Sequence, residues 1–141
     1  MKAVISIIVS LLLFSSCVSN EAQPIKINID SCDFCKMSIA DGKYGAEIIT
    51  KKGRAYKFDD ISCMVNYCKE NTTTKIGAYY LNDFAQDNIL IQAETAFFIS
   101  GGDIQSPMNG GIIGFSKESE AKEFKTKLNA KSINWNAIIS K

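Results

Sequence analysis

A strand that closes on Phe and passes straight into a helix start occurs twice in this chain, and that repetition limits the fold more than any other feature. Phe58-Asp59-Asp60 closes one strand and opens one helix, with Tyr67 nine residues after Phe58. Phe115-Ser116-Lys117 does the same, with Phe124 nine residues after Phe115. Ahead of the first junction, residues 44–50 read as a strand, Lys51-Lys52-Gly53-Arg54 as a turn, and residues 55–58 as the returning strand. Asp59 or Asp60 then caps a helix from about Ile61 to Glu70, whose apolar positions Ile61, Met64, Val65 and Cys68 fall at i, i+3, i+4 and i+7. Residues 76–81, 89–91, 96–99 and 112–115 are further strands. Ser116 is expected to cap a helix running to about Leu128, and residues 133–139, with Trp135, read as a short strand or turn. Hairpin, capped helix and following strand thus occur twice. The expectation is an α+β fold of two similar ββαβ-type units, about residues 27–83 and 84–141, each a small antiparallel sheet with one helix.

The first residues bear on compartment rather than fold. Met1-Lys2 is a short basic start, residues 3–14 are almost wholly apolar, and small Ser15-Ser16 precede Cys17. That order is a secretory signal, and the apolar run is shorter than the roughly 20 residues a spanning helix needs. A Cys directly after two small residues is the acceptor pattern of a bacterial lipoprotein, although Phe14 stands where an aliphatic residue is usual. Residues 1–16 are therefore read as a lipoprotein signal peptide, Cys17 as the lipidated residue, 17–26 as a tether and 27–141 as the folded domain. The expected location is a bacterial membrane, with the domain facing the periplasm. Lys2 is the only charge in the leader, so the remaining side chains balance, and no clustered basic surface for nucleic acid is evident.

The chain holds no histidine and five cysteines. The commonest metal ligand and the commonest neutral-pH base are both missing. With Cys17 assigned to lipid, Cys32, Cys35, Cys63 and Cys68 remain. In an oxidising compartment they could pair as disulfides or serve as soft ligands. Cys32-Asp33-Phe34-Cys35-Lys36-Met37 places three sulfurs in six residues. A Cys-x-x-Cys turn lets two thiolates face one point, and thiolate plus thioether without imidazole selects Cu(I). A zinc site using all of Cys32, Cys35, Cys63 and Cys68 is disfavoured: five residues apart on a helix, Cys63 and Cys68 diverge by roughly 140°. Cys68 shares the apolar stripe with Met64 and reads as core. Cys63 lies in the first turn, where the positive helix end favours a thiolate, and is the better candidate ligand. A thioredoxin-like site would need a helix directly after Cys35, and residues 37–43 offer none of useful length. In Ser106-Pro107-Met108-Asn109-Gly110-Gly111 a rigid Pro precedes Met108 in a loop, a poor core position and a candidate ligand.

These segments together resemble the NosL family, accessory lipoproteins of nitrous oxide reductase. The matching stretches are Cys32 to Met37, Tyr44-Gly45-Ala46-Glu47, Phe58-Asp59-Asp60-Ile61-Ser62-Cys63-Met64, Asp83-Phe84, Pro107-Met108-Asn109-Gly110-Gly111 and Phe115, in order through most of the chain. The resemblance implies two ββαβ-type units related to an organomercurial lyase domain. It implies a periplasmic Cu(I)-binding protein supplying copper to a cuproenzyme or copper-assembly factor, with nitrous oxide reductase as the family's recipient. The ligands it implies are Cys32, Cys35, Met37 and Met108. Lys36 departs from the family, where Gly is common at that position. Two other classes stay open on the residues alone: a thiol oxidoreductase or organomercurial-lyase-like enzyme using Cys32, Cys35 or Cys63, and a disulfide-braced adaptor. The expectation is a binding protein, not an enzyme.

Overall fold

In a computed structural model the described residues are 20–140. The leader and Cys17 lie outside them, and so does Lys141. Among the described residues, no helix is long and apolar enough to cross a membrane.

The chain forms β1 (Ala46–Thr50), β2 (Ala55–Phe58), α1 (Ile61–Glu70), β3 (Ile76–Asn82), β4 (Leu90–Gln92), a 3₁₀ turn (Ala93–Thr95), β5 (Phe97–Ser100), β6 (Ile112–Phe115), α2 (Glu118–Lys127), β7 (Lys131–Ile133) and α3 (Trp135–Ile139). Sheet order is β2-β1-β3-β4 in the first sheet and β6-β5-β7 in the second, with every pairing antiparallel. In both, the first strand of the unit is central and the helix connects its two flanking strands. The ββαβ repeat expected from the sequence is therefore present twice, with β4 added at one edge of the first sheet.

Three local expectations change. Ser116 does not cap α2: the N-cap is Lys117, with no side-chain cap bond. The Ser116 hydroxyl instead donates to Asp83 Oδ2 at 2.5 Å and its N–H to the same oxygen at 3.2 Å. Residues 135–139 are helical rather than extended, because Asn134 Oδ1 accepts from Ala137 N–H at 2.8 Å and caps a short turn. That turn lets Trp135 stack on Phe98 (5.8 Å between centroids) and meet Tyr79 edge-on (5.1 Å). The first strand starts at Ala46, two residues later than its apolar run suggests.

Asp83 joins the units. It is fully buried, pairs with Gly114 in a parallel bridge, and accepts from Ala85 N–H at 3.0 Å and Gln86 Nε2 at 3.1 Å besides Ser116. Phe84 N–H donates to Gly114 O at 2.9 Å. A Cβ on Gly114 would stand 2.2 Å from Leu81 Cδ1 and 3.0 Å from the Phe98 ring, so any larger residue would force buried side chains to shift where β6 approaches β3. One core gathers Ile48, Phe58, Ile61, Met64, Leu81 and Phe98 around α1; the other gathers Ile99, Ile113, Phe115 and Ala121 with Phe84 and Phe124.

β1 is buried along its whole length. Glu47 and Ile49 face opposite to Ala46 and Ile48 by strand alternation. The incoming chain covers that face: Gln23 N–H donates to Glu47 Oε1 at 2.7 Å, while Oε2 is buried without a partner. Burial, helped by the charge of Asp30, raises the Glu47 carboxyl to about 7 despite Gln23 N–H and Lys57. The folded protein thus holds this proton more tightly than the unfolded chain does. The resulting stability is complete below pH 4.5 and is lost as pH rises towards 7. Between pH 4 and pH 8 urea unfolding should lose about 3 kcal/mol more in the native protein than in Glu47→Gln. Parallel pH profiles for the two would contradict this.

Candidate metal centre

Residues 28–39 double back on themselves. Asn28 N–H donates to Ile39 O at 2.8 Å and Ile39 N–H to Asp30 O at 3.0 Å, and Ser31 bridges to Ser38. Inside that frame Cys32 N–H donates to Met37 O at 2.8 Å and Lys36 N–H to Cys32 O at 3.0 Å, which closes the Cys-x-x-Cys turn. Closure requires φ of +66° at Lys36, the left-handed region that favours glycine. The Gly common at this position in the resembled family meets that requirement without strain. Here Lys36 Nζ donates to Asp33 O across the turn. The loop is fastened to the sheet edge by Asp33, whose N–H donates to Lys57 O and whose Oδ2 accepts from Lys57 N–H, each at 2.8 Å.

Opposite this turn lies the β2–α1 junction. Asp60 is the N-cap: Oδ1 accepts from Ser62 N–H at 2.7 Å. Its Oδ2 accepts from Met108 N–H at 3.1 Å, so the same carboxylate holds the Pro107-Met108 loop. A Cβ on Gly110 would come 2.6 Å from Asp60 Oδ1 and from Ser62 Cβ, so this loop lies directly on the helix start. With Asp60 engaged, Asp59 is left to face the turn, and Cys35 Sγ donates to Asp59 Oδ1 at 3.5 Å.

The ligand atoms of Cys32, Cys35, Asp59 and Cys63 all lie within 4.8 Å of one another. Tetrahedral bonds of about 2.3 Å would set sulfurs about 3.8 Å apart, so a modest contraction completes a coordination shell. Cys32, Asp59 and Cys63 are buried and Cys35 is half-buried. Burial raises both the Cys32 and Cys63 thiols, and for Cys63 the neighbouring Cys32 and Asp59 add to it.

The structure therefore brings together three of the sulfurs expected from the sequence, Cys32, Cys35 and Cys63. Met37 and Met108 are not in the buried cluster. They are 56% and 38% exposed on two loops, one continuous with the thiol turn and one hydrogen-bonded to Asp60. Cys68 stands outside the cluster, half-buried against the core beside Tyr79, as its helix position requires. Cys63, off the expected stripe, is as buried as Met64, because Cys32 covers it from the loop. Asp59 was not expected as a donor. The signal was present: of two adjacent Asp residues at a helix start only one can cap, and the other must find a different partner.

Fold and donor set together define an α+β domain with a thiol-rich centre able to hold a metal ion. The chain belongs to the NosL family, whose model matches residues 24–141. Among solved structures, that of the copper chaperone NosL from Shewanella denitrificans is similar, with TM-score 0.72 at 20% identity over 84% of this chain and 95% of that one. No curated protein matches the chain. The family resemblance read from the ordered motifs thus holds, and so does the paired ββαβ architecture.

Two outcomes follow from this geometry. Asp60→Ala removes a helix cap and the anchor of the Met108 loop together, and should cost about 3 kcal/mol in urea unfolding, with faster amide exchange at Met108. Asp60→Asn keeps the capping oxygen and should cost clearly less. In the reduced, metal-free protein, iodoacetamide should modify Cys35 first and reach Cys32 and Cys63 only on unfolding, as read by peptide mass. Equal early labelling at Cys63 would contradict the buried centre.

Proposed function

We propose that this chain is a copper carrier that binds Cu(I) through Cys32, Cys35 and Cys63, with Met37 and Met108 as outer ligands. The observation that carries this reading is the convergence of three thiols on one point in a chain without histidine. Sulfur without imidazole favours a soft monovalent ion. The similar Shewanella structure is described as a copper chaperone, and family membership supports the same role here.

The geometry supports entry and exit of metal as well as binding. Exposed methionines on loops adjoining a buried thiol set offer weak thioether contacts before the stronger thiolates are reached. Cys35, half-buried between the two, is the thiol a partner's ligand can approach. Asp59 accepts from the Cys35 thiol, orienting it, and the thiol proton is released as metal binds. The cargo then leaves by ligand exchange with a partner's sulfur or imidazole. A cuproenzyme or its assembly factor is the recipient class, with nitrous oxide reductase the family's candidate. Cys17, acylated, would hold the carrier at a membrane facing the periplasm, where lipid anchoring raises the local concentration of carrier beside membrane-bound partners. Substrate turnover by an oxidoreductase or lyase is not part of this reading.

A second reading, a structural Zn(II) site of three Cys and one Asp, is favoured by the carboxylate in the donor set, since oxygen suits zinc better than Cu(I). Titration of the reduced protein with Cu(I) and separately with Zn(II), each against a competing chelator, separates them. The copper reading expects one Cu(I) per chain. Cys35→Ser or Cys63→Ser should weaken it by more than the roughly 10–100-fold that loss of an outer partner costs. Met37→Ala with Met108→Ala should fall within that range, and Asp59→Asn should leave Cu(I) affinity nearly intact. Zinc held more tightly than copper, with Asp59→Asn abolishing it, would overturn the copper reading.

A further inference from the structure

The end of the first sheet remote from the thiols carries a second feature. Lys51, Lys52, Arg54 and Lys75, with Thr73 and Thr74, line a hollow of about 500 Å³ between the β1–β2 turn and the start of β3. No carboxylate lines it. Among the described residues none of the four cations forms an ion pair, whereas Lys57, Lys117 and Lys122 do. The four cationic residues are exposed, yet their backbone is fixed: Thr50 N–H donates to Arg54 O at 2.9 Å and Lys51 N–H to Lys75 O at 2.8 Å. The Arg54 guanidinium stacks 4.5 Å above the Tyr56 ring. Unneutralised like charges held this close repel one another, and an anionic surface relieves that repulsion.

The incoming chain begins at the same end. Tyr80 OH donates to Asn20 O at 2.9 Å, and the Asn20 side chain lies 2.8 Å from where a Cβ on Gly77 would stand. From there the chain runs along the sheet past Glu47 to Ile25, which packs against Gly45 beside Phe58 at the thiol end. Asn20 is three residues after Cys17, and three residues span at most about 10 Å. The thiol end lies at Ala46↔Phe58, four residues or about 13 Å along β1 from Thr50.

We propose that this basic end is a membrane-facing surface that seats on anionic phospholipid headgroups, with the thiol centre directed away from the bilayer. The direction of the tether rests on the anchored reading above. The charge complementarity stands without it. Phosphate groups are the chemistry the four cations fit, and clustered Lys and Arg beside a bilayer anchor bind such headgroups. The contact is electrostatic and weakens with salt.

The test uses the full chain reconstituted on vesicles of phosphatidylglycerol mixed with phosphatidylcholine, or of phosphatidylcholine alone, read by amide exchange at residues 51–54 and 73–75. On the anionic vesicles exchange there should slow at least threefold. Raised salt should abolish the slowing, as should the combined Lys51→Gln, Lys52→Gln, Arg54→Gln and Lys75→Gln variant. Equal exchange on both vesicles overturns the proposal. So does protection reproduced by inorganic phosphate on neutral vesicles, which would assign the hollow to a free anion. Cu(I) titration of the same samples reports on the thiol centre separately. Copper binding without lipid-dependent protection removes only this inference. Protection without copper binding sustains it and removes only the carrier reading.

Discussion

The two oxygens of Asp60 hold the candidate centre together. One caps the helix that carries Cys63, and the other holds the backbone of the loop that carries Met108. Because both oxygens are taken, the adjacent Asp59 is displaced towards the thiol turn and becomes the acceptor for Cys35. Each unit supplies one side of this arrangement: α1 and its cysteine come from the first, the Pro-Met loop from the second. The buried Asp83, bonded to Ser116 and to the Gly114 backbone bridge, keeps those sides in fixed relation. The centre thus depends on two buried carboxylates, Asp60 and Asp83, that are not among its four clustered donors.

Much of the architecture was legible in the sequence, because it rests on short-range patterns. Strand, turn and strand ahead of Phe58, the Ile61–Glu70 helix and the repeat of this order around Phe115 follow from apolar spacing and capping chemistry. The divergence of Cys63 from Cys68 was legible for the same reason, being fixed by helix geometry. What escaped were choices between equivalent local partners. Ser116 looks like a cap, but a buried carboxylate from a distant strand competes for its hydroxyl and wins. Residues 133–139 carry no decisive period, and Asn134 settles them by capping a helix that the Trp135 ring contacts then hold. Asp59 and Asp60 are interchangeable in sequence and acquire different duties only when Met108 arrives from the other unit.

The loop that carries Cys32 and Cys35 shows how a local cost is retained. Lys36 occupies a left-handed conformation that glycine adopts freely, and the turn around it is held by the backbone hydrogen bonds from Cys32 N–H to Met37 O and from Lys36 N–H to Cys32 O. Its ammonium finds Asp33 O, and Asp33 in turn is clamped to β2 through Lys57. Lys36 therefore adds a positive charge to the turn that carries Cys32 and Cys35.

The two strand-to-helix junctions share one topology and have parted in use. At the first, Phe58-Asp59-Asp60 meets the thiol turn, where Asp59 accepts from Cys35. At the second, Phe115-Ser116-Lys117 presents its serine to Asp83 and serves as joinery between the halves. This is division of labour within a doubled design. One copy of the motif lies beside the thiols, and the other, in a half that holds no cysteine, commits its serine and the neighbouring glycine to the seam.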